Sequence, residues 1–159
     1  MRILTLFVCF LFLFMACEKS PKTNYKPLDL LAHGFPITIQ APENPEIKLT
    51  DMTVMKDLTI KKGTDYNVQI YSSSANTTNL NQIKNEHLEE VKSNPYFKKV
   101  VTDHPDGFVY EKQVDSTMTY GFKYVYLQGD QEFIFQNGIL GIYTLDQVNN
   151  MYDAVQQKK

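Results

Sequence analysis

The sequence predicts an α+β domain: one antiparallel sheet of about six strands flanked by two main helices. Three observations predict it. Strand-like segments follow one another through short turns that hold Gly, Pro, Asn or Asp, and such turns join neighbours antiparallel. Two other segments, Leu80–Ser93 and Leu145–Gln156, repeat apolar residues at helical spacing instead. Aromatic content is 13%, all Tyr and Phe with no Trp, and flat rings pack well on a pleated surface.

The first strand signal is Phe35-Pro36-Ile37-Thr38-Ile39-Gln40, where Ile37 and Ile39 alternate with polar partners. Pro36 suits only a strand start or an edge. Ala41-Pro42-Glu43-Asn44-Pro45 breaks the chain, and Glu46–Leu49 is a candidate short strand. Asp57–Lys61 and Tyr66–Ser73 form a hairpin around Lys62-Gly63-Thr64-Asp65, a four-residue connection with its glycine. Tyr66, Val68 and Ile70 share one face, because strand side chains repeat every two residues.

The first helix follows the cap-rich run Asn76-Thr77-Thr78-Asn79. Leu80, Ile83, His87, Leu88 and Val91 make its apolar stripe. Asn79 with Gln82 three residues on reads as a capping box, and Ser93-Asn94-Pro95 stops the helix.

Phe97–Thr102 and Phe108–Val114 come next, joined through the turn His104-Pro105-Asp106-Gly107. Thr117–Leu127 is the longest strand, and Gly129-Asp130 turns it into Gln131–Gln136. Glycine first in a two-residue loop suits a type II′ turn, which pairs Tyr126 with Phe133, Tyr124 with Phe135, and Val125 with Ile134. Leu140–Tyr143 is a candidate last strand. Thr144-Leu145-Asp146-Gln147 is a capping box, and Leu145, Val148, Met151, Tyr152 and Val155 line one side of the closing helix.

Both faces of the Thr117–Gln136 hairpin are apolar, which calls for one helix on each side of the sheet. Together with the opening Gly34-Phe35-Pro36-Ile37-Thr38-Ile39-Gln40-Ala41-Pro42 and the closing helix after Thr144, this order resembles the PsbP/Mog1-type α/β/α sandwich. The resemblance spans most of residues 34–157 at the level of pattern. The Trp that often follows the opening in that family is absent. No site residue is implied, because domains of that type serve as binding modules without a shared site, and fold does not fix function.

The N-terminus carries a sharper signal. Arg2 precedes an apolar run from Ile3 to Ala16, broken only by Thr5, which stops at Ala16-Cys17. A basic start, an apolar core and a small residue before the cleavage point make a secretory signal. The run is shorter than the roughly twenty apolar residues a membrane span needs. With Cys17 after Ala16, it resembles a bacterial lipoprotein signal, although Phe14 stands where leucine is usual. The resemblance implies cleavage before Cys17, acylation of Cys17, and a bacterial cell-envelope location on a membrane. An ordinary signal peptide with an incidental cysteine, or a short uncleaved anchor, are the alternatives. The chain then divides into a signal over 1–16, a lipidated tether over 17–33, whose Leu28, Leu30 and Leu31 are placed to dock onto the domain or form a short helical turn, and a single domain over 34–159.

Charge and cysteines narrow the chemistry. The chain has a formal charge of −2, and loss of Arg2 takes it to −3. No basic stripe appears, so nucleic acid is not an expected partner. Cys9 leaves with the signal and Cys17 is blocked, so the mature domain is expected to hold no free thiol, disulfide or thiolate metal site. His33, His87 and His104 lack metal-ligand spacing; His87 reads as a boundary residue of its helix. Asp103-His104-Pro105-Asp106 reads as a turn before a cation site. Ser72-Ser73-Ser74 lacks the flanking glycines of a nucleophile elbow. No catalytic residue, cofactor or metal is therefore expected.

One unusual feature is the tyrosine set Tyr110, Tyr120, Tyr124 and Tyr126. Tyr120, Tyr124 and Tyr126 share a strand face with Met118 and Phe122, either as core or as a face that emerges into a groove for a protein, peptide or glycan partner. The functional expectation is a lipid-anchored envelope protein acting as a non-enzymatic binding or accessory module. The alternative is an envelope hydrolase or metal-dependent enzyme whose site is dispersed along the sequence.

Overall fold

The structure is a computed structural model, and it describes residues 24–157. Nine strands and two α-helices run in the order β1 (Lys26–Asp29), β2 (Thr38–Ala41), β3 (Glu46–Asp51), β4 (Met55–Lys62), β5 (Tyr66–Ser74), α1 (Leu80–Ser93), β6 (Phe97–His104), β7 (Gly107–Val114), β8 (Thr117–Gln128), β9 (Gln131–Asn137) and α2 (Leu145–Val155). Seven strands form one sheet in the order β3-β4-β5-β9-β8-β7-β6, antiparallel throughout. β1 and β2 form a separate two-stranded sheet. The domain is thus α+β with two helices, and the expected count of about six strands becomes seven plus two.

Alternation drives the central strands. In β5, Tyr66, Val68, Ile70 and Ser72 are buried while the residues between them are half-buried. The β8–β9 register pairs Tyr124 with Phe135, Val125 with Ile134 and Tyr126 with Phe133, as the sequence predicts. Only the first residue of its two-residue loop, Gly129, has positive φ (+62°), which is the type II′ turn expected there.

Each helix packs on its own face of the sheet. α2 lies over β8, β5, β9, β7 and β2. Its Val148, Met151, Tyr152 and Val155 join Phe122, Tyr124, Phe133 and Phe135 in the main core, with Leu30, Phe35 and Ile39 of the β1–β2 segment closing the edge. Thr144 starts α2 with a reciprocal capping box. α1 lies over β8 and β6, and a smaller cluster of Ile83, Val125 and Ile134 lies beneath it. Its cap is one-sided: Asn79 Oδ1 accepts the Gln82 N–H at 3.1 Å, but the Gln82 side chain turns to Glu86.

Two expectations change, and the end of the tether takes both of the forms expected for it: Leu30 docks, fully buried, Leu31–His33 makes a 3₁₀ turn, and Lys26–Asp29 adds a strand paired with Thr38–Ala41. The reason is apolar area, since Leu28 and Leu30 close an otherwise open edge of the main core. The signal over 1–16, Cys17 and the tether up to residue 23 lie outside the described residues. Leu140–Tyr143 is not a strand; Tyr143 N–H instead donates to Thr119 Oγ1 at 2.9 Å, and Ile139, Leu140 and Ile142 are exposed. Leu80, expected in the stripe, is half-buried because α1 enters at the rim of the sheet.

Candidate functional site

α1 lies over β8 and β6 and reaches β9 through Ile83 against Ile134, but its main contacts stop short of β4 and β5 on the same face. The step between helix and open sheet is a groove of about 600 Å³. Tyr71 from β5, Tyr110 from β7, Lys123 from β8, Glu132 from β9, and His87 and Glu90 from α1 supply its polar lining. Register puts these residues together. Lys123 pairs with Gln136, Tyr110 with Gly121, and Tyr71 with Ile134, so all project to the α1 side. His87 and Glu90 lie three apart on α1 and share one helix face.

Gly121 makes room for the groove wall. A Cβ added there would lie 2.6 Å from a ring carbon of Tyr110, so the ring rests directly on glycine backbone. Lys112 Nζ lies 5.9 Å from the centroid of the same ring, a cation–π contact.

Four titratable side chains follow one another along the groove. Glu132 Oε1 is 3.8 Å from His87 Nε2, His87 Nδ1 is 3.1 Å from Glu90 Oε2, and Glu90 Oε2 is 3.5 Å from Lys123 Nζ. Burial of Lys123 disfavours its ammonium and lowers its pKa, against the opposing pull of Glu90. Burial alone would raise Glu90, but the His87 hydrogen bond and the Lys123 charge outweigh it and hold its carboxyl below the usual range. Burial, with the Glu90 charge, pushes Tyr110 up to about 12. Tyr71 is raised by burial and by the neighbouring Asp57. The groove therefore offers the phenols of Tyr71 and Tyr110 beside the Lys123–Glu90 pair. His87 Nδ1 is held by Glu90 at 3.1 Å, while Nε2 lies 3.8 Å from Glu132, beyond hydrogen-bond distance.

The residues singled out from sequence fall elsewhere. Tyr124 is 3% exposed, with its ring 5.2 Å from Phe135 and its hydroxyl accepting the Gln157 N–H at 3.1 Å. It is core and offers no binding surface. Tyr120 and Tyr126 are half-buried against the same core, on the α2 side. The aromatic stripe is packing because α2 needs a broad flat platform. Tyr110, from the same tyrosine set, is the one that reaches the groove. Asp103 is used by Lys84, whose Nζ lies 2.6 Å from it, while the His104 ring stacks on Tyr152 at 4.7 Å. Among the described residues, no three His, Cys, Asp or Glu side chains gather as metal ligands.

A signal for the groove was present in the sequence. Lys123 stands between Gly121 and Val125 on one face of the longest strand, and a lysine in a covered strand position needs a partner or an opening. Compared with family models, curated proteins and solved structures, the chain matches none.

Proposed function

We propose that this chain is a bacterial cell-envelope lipoprotein, anchored through acylated Cys17, whose domain is a non-enzymatic binding module. Its finer architecture is read as the PsbP/Mog1-type sandwich, supported by one helix on each face of an antiparallel sheet. The observation that carries the binding reading is the α1-side groove. It joins tyrosine rings to a row of polar and ion-paired side chains, which suits a ligand with flat apolar patches and amide or hydroxyl groups: a peptide or a glycan–peptide fragment. Tyrosine desolvates its ring while its hydroxyl keeps a hydrogen bond.

The hydrolase alternative draws on one observation, the His87–Glu90–Glu132 cluster with Ser73 along the same groove.

The test uses the full chain purified from bacterial membranes. Intact mass should show loss of residues 1–16 and an acylated Cys17. Titration calorimetry against short peptides and peptidoglycan fragments should give saturable binding. Tyr71→Ala and Lys123→Gln should each weaken it by about tenfold, equivalent to roughly 1.4 kcal/mol. Binding indifferent to both substitutions removes the groove from the proposal. Turnover of any fragment that is lost in His87→Ala supports the hydrolase instead.

A further inference from the structure

Exposed apolar side chains stand at both ends of the main sheet: Met52 and Val54 in the β3–β4 turn, and a larger set at the end from which the chain leaves toward Cys17. Tyr25 packs edge-on against Tyr66 with ring centroids 5.1 Å apart, so the N-terminal exit lies beside the β4–β5 turn. Gly138 N–H donates to Asn67 O at 2.8 Å, which roots the following loop at the same place. That loop is Ile139-Leu140-Gly141-Ile142. Its large side chains are 68%, 94% and 71% exposed.

Strand register brings more apolar surface to this end. β8 starts, and β7 ends, beyond the last residue of β9, which places the exposed Val114 and Met118 here. The Gln113 N–H donates to Tyr96 O, so exposed Tyr96 joins them. Ordinary monomer surfaces show single apolar residues, while a cluster of this kind marks a contact with a membrane or a partner.

We infer that this end, led by Ile139, Leu140 and Ile142, inserts into the interface of the same bilayer that holds the acylated Cys17. The inference rests on the anchor reading. Chain length selects the lipid surface over other occupants. Seven residues separate Cys17 from Tyr25, eight steps that span at most about 29 Å when extended. An anchor so close keeps the apolar end within reach of the membrane permanently. The loop then pays no translational cost to dock, so a few side chains suffice to fix orientation. Charge at this end is mixed: Lys61, Lys62 and Asp65 flank the β4–β5 turn, and Asp115 stands in the β7–β8 turn between Val114 and Met118. The consequence is a domain held upright, with the opposite end, including the β3–β4 turn, pointing away from the bilayer.

The chain contains no Trp, so a single introduced indole is a clean depth reporter. The full-length lipoprotein is reconstituted into phosphatidylethanolamine–phosphatidylglycerol vesicles whose acyl chains carry bromine. Leu140→Trp is compared with Val54→Trp. Val54 is 82% exposed in the β3–β4 turn, about 20 Å away along the strands. Both sites are open to solvent, so neither substitution disturbs the core. The expected result is blue-shifted emission and several-fold stronger quenching for Leu140→Trp, with Val54→Trp left as in water. Equal quenching at the two sites, or quenching at Val54→Trp alone, overturns the inference while Cys17 is shown acylated by intact mass and the protein floats with the vesicles. A chain that does not float and carries an unmodified Cys17 overturns the anchor reading, and the inference with it.

Discussion

Single residues decide the shape of the groove more than its composition does. Tyr110 could have packed inward like its neighbours, but Gly121 opposite leaves a flat bed for its ring. Gly121→Ala puts a methyl 2.6 Å from that ring and forces Tyr110 aside. We expect a stability loss of about 1–3 kcal/mol from overpacking, and a loss of groove binding beyond that of Tyr71→Ala. Denaturant unfolding and calorimetry on the same variant check both. Asn137 shows the same economy. Buried at 5% exposure, it offers Oδ1 to Phe122 N–H where β8 has run past the end of β9. Neither role is readable from sequence, because each depends on which residue lies across the ladder.

At the scale of elements, most of the secondary structure is legible in the sequence. The hairpins, the type II′ turn, the cap of α2 and both helices fall where turn chemistry and periodicity put them. The two helices differ in what they bury. On α2, Val148 and Met151 are fully buried, whereas on α1 Leu88 is only half-buried because α1 straddles the groove. Val148→Ala should therefore cost more than Leu88→Ala, with the pair bracketing roughly 1–4 kcal/mol. Equal shifts in the urea midpoint would contradict the unequal packing. The errors are also local. Lys26–Asp29 lies in a polar, proline-containing stretch that reads as linker until a second strand exists to pair with it. Leu140–Tyr143 has strand-like residues but finds no ladder partner.

For the whole molecule, buried phenols set the alkaline limit. Tyr66, Tyr110, Tyr124 and Tyr152 are all held above the ordinary value of 10, chiefly by burial. A folded-state pKa above the unfolded one means the folded protein keeps protons the unfolded chain releases. That stability is complete below pH 10 and falls as pH rises through the folded values. Lys123, lowered by burial, acts in the opposite sense over its own window below 10.5, but it is outnumbered. The urea midpoint should fall steadily above pH 10, and tyrosinate absorbance from these residues should appear together with unfolding. A full tyrosinate titration near pH 10 in still-folded protein would show that the phenols are not buried. At this same scale, the exposed apolar end beside the N-terminal exit gives the domain a direction, which the proposed anchor at Cys17 would use.

The sequence by itself determined the α+β class, the antiparallel hairpins and the two helices, because turn residues and apolar periodicity act over a few neighbouring positions. It also put Tyr124 opposite Phe135 and Tyr126 opposite Phe133, since hairpin register follows from the turn. Only the tertiary structure decided which face each helix covers, and how far. That choice turned Tyr124 from a candidate surface into core and left Tyr71, Tyr110 and Lys123 around an opening. The physical reason is that burial is settled between segments far apart in the chain. β5 pairs with β9 across more than fifty residues, and α1 comes to rest on strands that follow it, so neither the groove nor the apolar end exists in any local stretch of sequence.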